Sequence, residues 1–230
     1  AGSTNNFFPL GQQFYTVSSG TSHATPAVAG ACALVRQYFI NQNLTAPSPA
    51  MTKAFLMNST RYLTGQRAND SLWSSGQGMG ALNLGTAFDG VVRVLRDQMP
   101  ADKLTASGQT RVFTGTISDT NKPVRVTLAW TDAPGNTFGN AFNNDLDLSI
   151  TVGGNTYKGN VFGGAFSIKG GNADARNNVE SVFLPAGSTG NVAVTTSTAS
   201  GRPDMPNSQP SPPASSGTSR FFRPVSSKAP

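Results

Sequence analysis

"GTSHATPAVAG", Gly20 to Gly30, sets a serine at the head of a run of small residues. Gly20 permits a tight turn and a close backbone approach. Pro26 is expected within a first helical turn, where early N–H groups lack intrahelical acceptors and proline is tolerated. Ala24, Ala27, Ala29 and Gly30 would keep the helix thin enough to run through a crowded interior. Ser22 then lies at or beside a helix N-terminus, where unpaired N–H groups and the helix dipole favour negative charge. An attacked carbonyl oxygen becomes such a charge, so the pattern suits nucleophilic acyl transfer. An isolated Gly-Thr-Ser would read more simply as a helix cap.

Composition narrows the class. Only 12 % of the 230 residues are charged, while Gly (25) and Pro (15) are plentiful, a mix that suits a loop-rich extracellular β protein. The net charge of +6 comes from basic residues scattered singly, with no run of them interleaved with aromatics, which argues against nucleic-acid binding. No stretch approaches the ~18 consecutive apolar residues of a membrane span, so no membrane partner is expected. No signal peptide is visible in the chain. The one cysteine, Cys32, is expected as a small buried packing residue.

Residues 1–94 are expected to be α/β. A helix from about Ser22 to Ile40 is apolar nearly all round, as for a helix buried on several sides. A second helix begins at "PSPAMTKAFLMNSTRYL", with Ser48 as N-cap and Pro49 as its first residue. Gly78 and Gly80 bracket a tight passage before "ALNL". From about residue 100 short alternating segments follow: "TRVFTGTI", "VRVTLAWT", "DLDLSITV", "VESVFL" and "NVAVTTST". Turns are expected at "SDTNKP", "GGNT" and "PAGSTG", and residues 95–200 read as an antiparallel β-sandwich. Residues 201–230 are rich in Pro and Ser without apolar periodicity, and are expected to form a disordered tail.

The serine stretch resembles that of the subtilisin-like proteases (subtilases, peptidase family S8), G-T-S-M-A-T/A-P-x-V-A-G. Gly20, Thr21, Ser22, Ala24, Thr25, Pro26, Val28, Ala29 and Gly30 match, and His23 stands where the family has methionine. The order that follows is also similar: a buried helix, a surface helix, then a Gly-bracketed segment before an Asn. "VTLAWTDAPG…NNDLDLSI…TYKGN…ARNNVESVFL" resembles the jelly roll of the oxidation-resistant alkaline protease group and, more distantly, the P-domain of kexin-like enzymes. The resemblance implies the C-terminal part of a parallel-sheet catalytic domain followed by a jelly roll. It further implies a secreted serine endopeptidase acting on proteins or peptides, with Ser22 as nucleophile.

A serine hydroxyl needs an adjacent base, itself oriented by a third group. The one histidine, His23, is Ser22's chain neighbour, and helical neighbours point about 100° apart. His23 is therefore not expected to be the base. In the family the Asp and His precede the serine, as does an oxyanion-hole Asn. The 21 residues before Ser22 hold neither Asp nor His, so those partners are expected upstream of Ala1. This chain alone is expected to be inactive. An alternative reading is a non-catalytic β-sandwich binding module with a relict protease segment. A lipase or esterase is a weaker rival, because its G-x-S-x-G is not matched where Ala24 follows Ser22 by two, and no histidine lies beyond His23.

The β region also concentrates oxygen donors: Asp132, Asn143, Asn144, Asp145, Asp147, Asn172, Asp174, Asn177, Asn178 and Glu180. Hard cations take six to eight such oxygens. Alternation in "NNDLDL" puts Asp145 and Asp147 on one face. Asp132, Asp145, Asp147, Asp174 and Asn177 are the candidate calcium ligands, although Asn and Asp also serve ordinary turns. Related jelly rolls bind calcium. Oligomeric state is not readable from the chain.

Overall fold

The structure is a computed structural model that describes residues 10–16, 19–65, 68, 71–132, 135, 137–138, 143–199, 219–223 and 225–226. Helices come first: α1 (Thr21–Asn41), α2 (Pro49–Asn58) and the single turn α3 (Leu84–Ala87). Ser48 caps α2 by accepting from the Met51 N–H at 3.0 Å, and Pro49 opens the helix, as the sequence predicts. Ser48 is itself held by Asp97, which accepts from its N–H and its hydroxyl at 2.7 Å each. Ala31, Val35 and Phe39 of α1 close on Met51, Phe55 and Leu56 of α2, with Phe39 and Phe55 in edge-to-face contact at 5.4 Å.

The parallel sheet expected within residues 1–94 is not formed among the described residues. Outside the helices the described residues of this region include the isolated antiparallel bridges Arg61↔Ala81 and Ser74↔Gly78. Parallel strands need a crossover connection of a dozen or more residues, and no parallel strand pair lies among the segment's described residues.

The sandwich follows. Its strands are β1 (Val94–Arg96), β2 (Thr110–Ile117), β3 (Val124–Ala129), β4 (Leu146–Val152) and β5 (Asn155–Lys158), then β6 (Phe162–Gly163) and β7 (Phe166–Ser167). The last are β8 (Val179–Leu184), β9 (Asn191–Thr198), β10 (Ser219–Arg223) and β11 (Val225–Ser226). One sheet has the order β1-β10-β3-β8, the other β11-β2-β9-β4-β5, and β6-β7 form a small hairpin. Every pairing between named strands is antiparallel. Within residues 201–230, expected as a disordered tail, the described residues are β10, which lies between β1 and β3, and β11, which pairs with β2.

Burial along the strands shows how the layers stack. β4 alternates, with Leu146, Leu148, Ile150 and Val152 buried between the sheets and the intervening residues half-exposed. In β8 all six residues are buried. Glu180, Val182 and Leu184 face the sandwich interior; Val179 packs with Ala50 and Ala54 of α2, and Phe183 with Leu72 and Met79. The first sheet is thus covered on both faces, by the second sheet and by the helical region.

Polar side chains bond across this second interface. Asn58 donates to the Thr127 hydroxyl at 3.1 Å, and Thr127 bonds the Ser181 hydroxyl at 3.0 Å, all three buried. Arg125 of β3 donates to the carbonyls of Asn58 and Thr60 at 3.0 and 2.7 Å, closing the end of α2, while its guanidinium stacks 4.4 Å from the Phe183 ring. Replacing Arg125 with alanine leaves those carbonyls without their charged donor. We expect a loss of about 2–3 kcal/mol in denaturant unfolding. Residues 1–94 alone, deprived of the sheet under α2, should be cut by dilute protease within α1 and α2 at sites that the intact chain protects; a resistant fragment would contradict this packing account.

Candidate functional site

Ser22 is the second residue of α1 and is exposed. The residue before the helix, Gly20, has φ +139, a conformation side chains disfavour. With no side chain it caps nothing, so the N–H groups of Thr21 and Ser22 receive no side-chain acceptor. The Gly20 carbonyl accepts from the His23 and Ala24 N–H groups at 3.1 and 3.2 Å. Ser22 therefore presents its hydroxyl beside its own N–H at the positive end of a 21-residue helix.

Pro26 lies further into α1 than the expected first turn. It supplies no N–H for the carbonyl four residues earlier, that of Ser22, so the turn under the serine is loosened. The Thr25 hydroxyl donates to the Thr21 carbonyl at 2.9 Å and holds that turn from the side.

Burial of α1 departs from the expectation of a helix enclosed on several sides. Every residue from Thr21 to Gly30 is exposed, including Val28, and Leu34 and Ile40 are roughly half exposed. Only Ala31, Val35 and Phe39 are buried, because α2 covers a single stripe near the C-terminal half. Cys32, expected to be buried, is partly exposed in a shallow apolar groove between α1 and α2.

The candidate calcium ligands fall into three groups. The Asp132 carboxylate follows β3 and accepts from the Asn143 and Asn144 N–H groups at 2.7 and 3.0 Å, and from the Asn144 side chain. Asp145 and Asp147 flank Leu146 at the start of β4; burial pushes the Asp147 carboxyl up, the Asp145 charge adds to this, and Lys158 opposes it. Asp174 and Asn177 are joined directly, the Asn177 side chain donating at 2.6 Å. Burial works against the Asp174 charge, yet donation from the Asn160 and Asn177 side chains and the Arg176 and Asn177 N–H groups outweighs it and holds this carboxyl low. Among the described residues no three Asp, Glu, His or Cys side chains converge into a metal cage.

Glu180 stands out from the oxygen-rich set. It is fully buried on β8; its Oε2 accepts from the Leu148 N–H on β4, and its Oε1 has no hydrogen-bond partner among the described residues. The Leu148 N–H points to the side where β5 leaves the sheet: its last register pair is Ser149↔Lys158, and Gly159 then donates to the Leu148 carbonyl. The carboxyl of Glu180 takes the place of the missing strand, and a Cβ at Gly159 would overlap it. Burial, with the Asp147 and Asp174 charges adding to it, pushes the Glu180 carboxyl up to about 8 against the opposing pull of the Leu148 N–H and, more weakly, of the Asp174 N–H. The sequence signal for this role is the lone acid among the apolar residues of "VESVFL".

A group whose carboxyl binds its proton more tightly folded than unfolded stabilises the fold most at low pH, and that contribution is lost as pH rises from about 4.5 towards 8. In calcium-free buffer, unfolding free energy should fall across this window with a slope of up to about 1.4 kcal/mol per pH unit from this group. Glu180→Gln should flatten that slope in urea titrations at a series of pH values. An unchanged slope would rule out the buried acid.

Residues 3–80, the segment that carries Ser22, match the model of the Subtilase family. The remainder of the chain, with the β-sandwich, is not assigned to that family. No curated protein matches the chain. The match relates residues 3–80 to a family of serine endopeptidases.

Proposed function

We propose that this chain is the serine-bearing part of a secreted subtilisin-like endopeptidase, joined to a sandwich that braces it. The observation that carries this reading is Ser22 at an uncapped helix N-terminus, directly after Gly20, inside the subtilase-matched segment. In the complete enzyme the Ser22 hydroxyl attacks the scissile carbonyl of a protein or peptide substrate and forms an acyl-enzyme, which water releases. The Ser22 N–H, free of a side-chain cap, donates to the oxygen on which charge develops. The general base and its orienting carboxylate would come from residues preceding Ala1, since His23 points away from Ser22 along the helix. The same upstream part would cover the exposed half of α1. The bracing is supported by α2 and Arg125, which seat the serine-bearing region on the first sheet.

Calcium belongs to the same proposal. The donors are hard oxygens, and at the Asp145–Asp147 pair, where burial and then the Asp145 charge push Asp147 up, a divalent cation would relieve most charge. Asp132, Asp174 and Asn177 would complete the oxygen-rich end, and the ion's contribution would be structural. Thermal unfolding with calcium and with EGTA should differ by several degrees; coincident curves would remove calcium from the proposal.

The test of the catalytic reading uses the protein with its upstream sequence. Ser22→Ala should lower peptide hydrolysis by roughly 10⁴-fold or more with the fold intact. The 230-residue chain alone should hydrolyse peptides little above background. Full activity in the Ser22→Ala variant would remove Ser22 as the nucleophile, and no hydrolysis by the wild-type protein with its upstream sequence would favour the non-catalytic binding-module reading.

A further inference from the structure

We propose that Asn43 is an acceptor for an N-linked glycan, an inference that rests on the secreted reading above. The chain contains three Asn-x-Ser/Thr triplets: Asn43-Leu44-Thr45, Asn58-Ser59-Thr60 and Asn69-Asp70-Ser71. A transferase needs the asparagine amide and the hydroxyl two residues on to be presented together on an accessible bend of chain.

Asn43-Leu44-Thr45 meets that demand. All three residues are exposed. α1 ends here in a reversed turn: Asn43 takes φ +56, its N–H bonds the Ile40 carbonyl at 3.0 Å, and the Leu44 N–H reaches back to Phe39 at 2.9 Å. This is the left-handed helix end in which asparagine is the common substitute for glycine. The backbone groups of the turn are thus occupied, and no hydrogen bond among the described residues engages the Asn43 side chain, which projects from a fixed bend.

Asn58-Ser59-Thr60 fails on the same criteria. Asn58 is 2 % exposed, its side-chain amide donates to Thr127, and its carbonyl accepts from Arg125. A sugar there would displace α2 from the sheet. In the third triplet Asn69 and Asp70 lie outside the described residues.

The modification consumes a lipid-pyrophosphate-linked oligosaccharide, supplied with its transferase by the secretory membrane. The Asn43 Nδ2 forms a bond to C1 of the first sugar as the C1–O bond to pyrophosphate breaks. The lipid pyrophosphate leaves, and one amide proton passes to the transferase's base. The position suits a peptidase: Asn43 lies two residues beyond the end of the 21-residue α1, about 30 Å from Ser22 along the helix axis, so a glycan there leaves the serine end clear.

The test is to express the chain behind a secretion leader in a eukaryotic host and map glycopeptides by mass spectrometry before and after amidase release. The peptide containing Asn43 should carry a glycan, lost in Asn43→Gln and Thr45→Ala and retained in Thr45→Ser. An unmodified Asn43 in the exported wild-type chain, or a glycan that persists in Thr45→Ala, would overturn the assignment. Because the leader imposes export, the result does not depend on how the natural protein is routed or on its peptidase activity. Failure of the peptidase reading would show separately, in the Ser22→Ala comparison.

Discussion

A sheet that must be covered on both faces governs this molecule. Strands β3 and β8 have apolar residues on both sides of the pleat, so one covering layer cannot suffice. The second sheet closes one face with aliphatic side chains, and α2 closes the other with alanines small enough to let the helix sit close. Polar groups caught at this second interface bond across it: Asn58, Thr127 and Ser181 form a chain, and Arg125 serves two helix-end carbonyls. Leaving any one of them unpaired would cost the full desolvation of a buried polar group. The serine-bearing region and the sandwich are therefore mechanically one body at this seam.

The same economy of space explains Glu180. β5 pairs with only part of β4, and its departure at Gly159 leaves the Leu148 N–H of the second sheet without a strand partner. A carboxyl from the opposite sheet reaches across to accept it. The two sheets are thereby joined by a hydrogen bond as well as by contact, at the cost of burying a titratable group beside Asp147 and Asp174. The oxygen-rich end of the sandwich is thus electrostatically tense, and Asp174 escapes this only because four donors surround it.

Ser22 lies at the other extreme of burial. Its half of α1 is mostly small residues and is all exposed, whereas the C-terminal half meets α2 through large side chains. A helix so thin and so apolar is built for close packing on every side, and α2 provides it on one stripe only. The geometry at Ser22, an uncapped positive helix end with a glycine before it, is local and needs no such packing to form.

Much of this was legible from residues alone, wherever the cause is local. "TRVFTGTI", "VESVFL" and "NVAVTTST" coincide with β2, β8 and β9, because alternation, β-branching and flanking turn residues act over a few positions. Ser48-Pro49 announced the start of α2, and Gly20-Thr21-Ser22 the start of α1, for the same reason. What tertiary structure alone decided is long-range: that α2 covers the outer face of the first sheet, that Glu180 takes the place of a departing strand, and that residues 219–223 insert between β1 and β3. It also decided that the first half of α1 is uncovered and that Asp132 and Asp174 accept from neighbouring amides. Periodicity states which side of an element is apolar. Which surface meets that side, and how far a carboxyl is thereby removed from water, depends on partners tens of residues away.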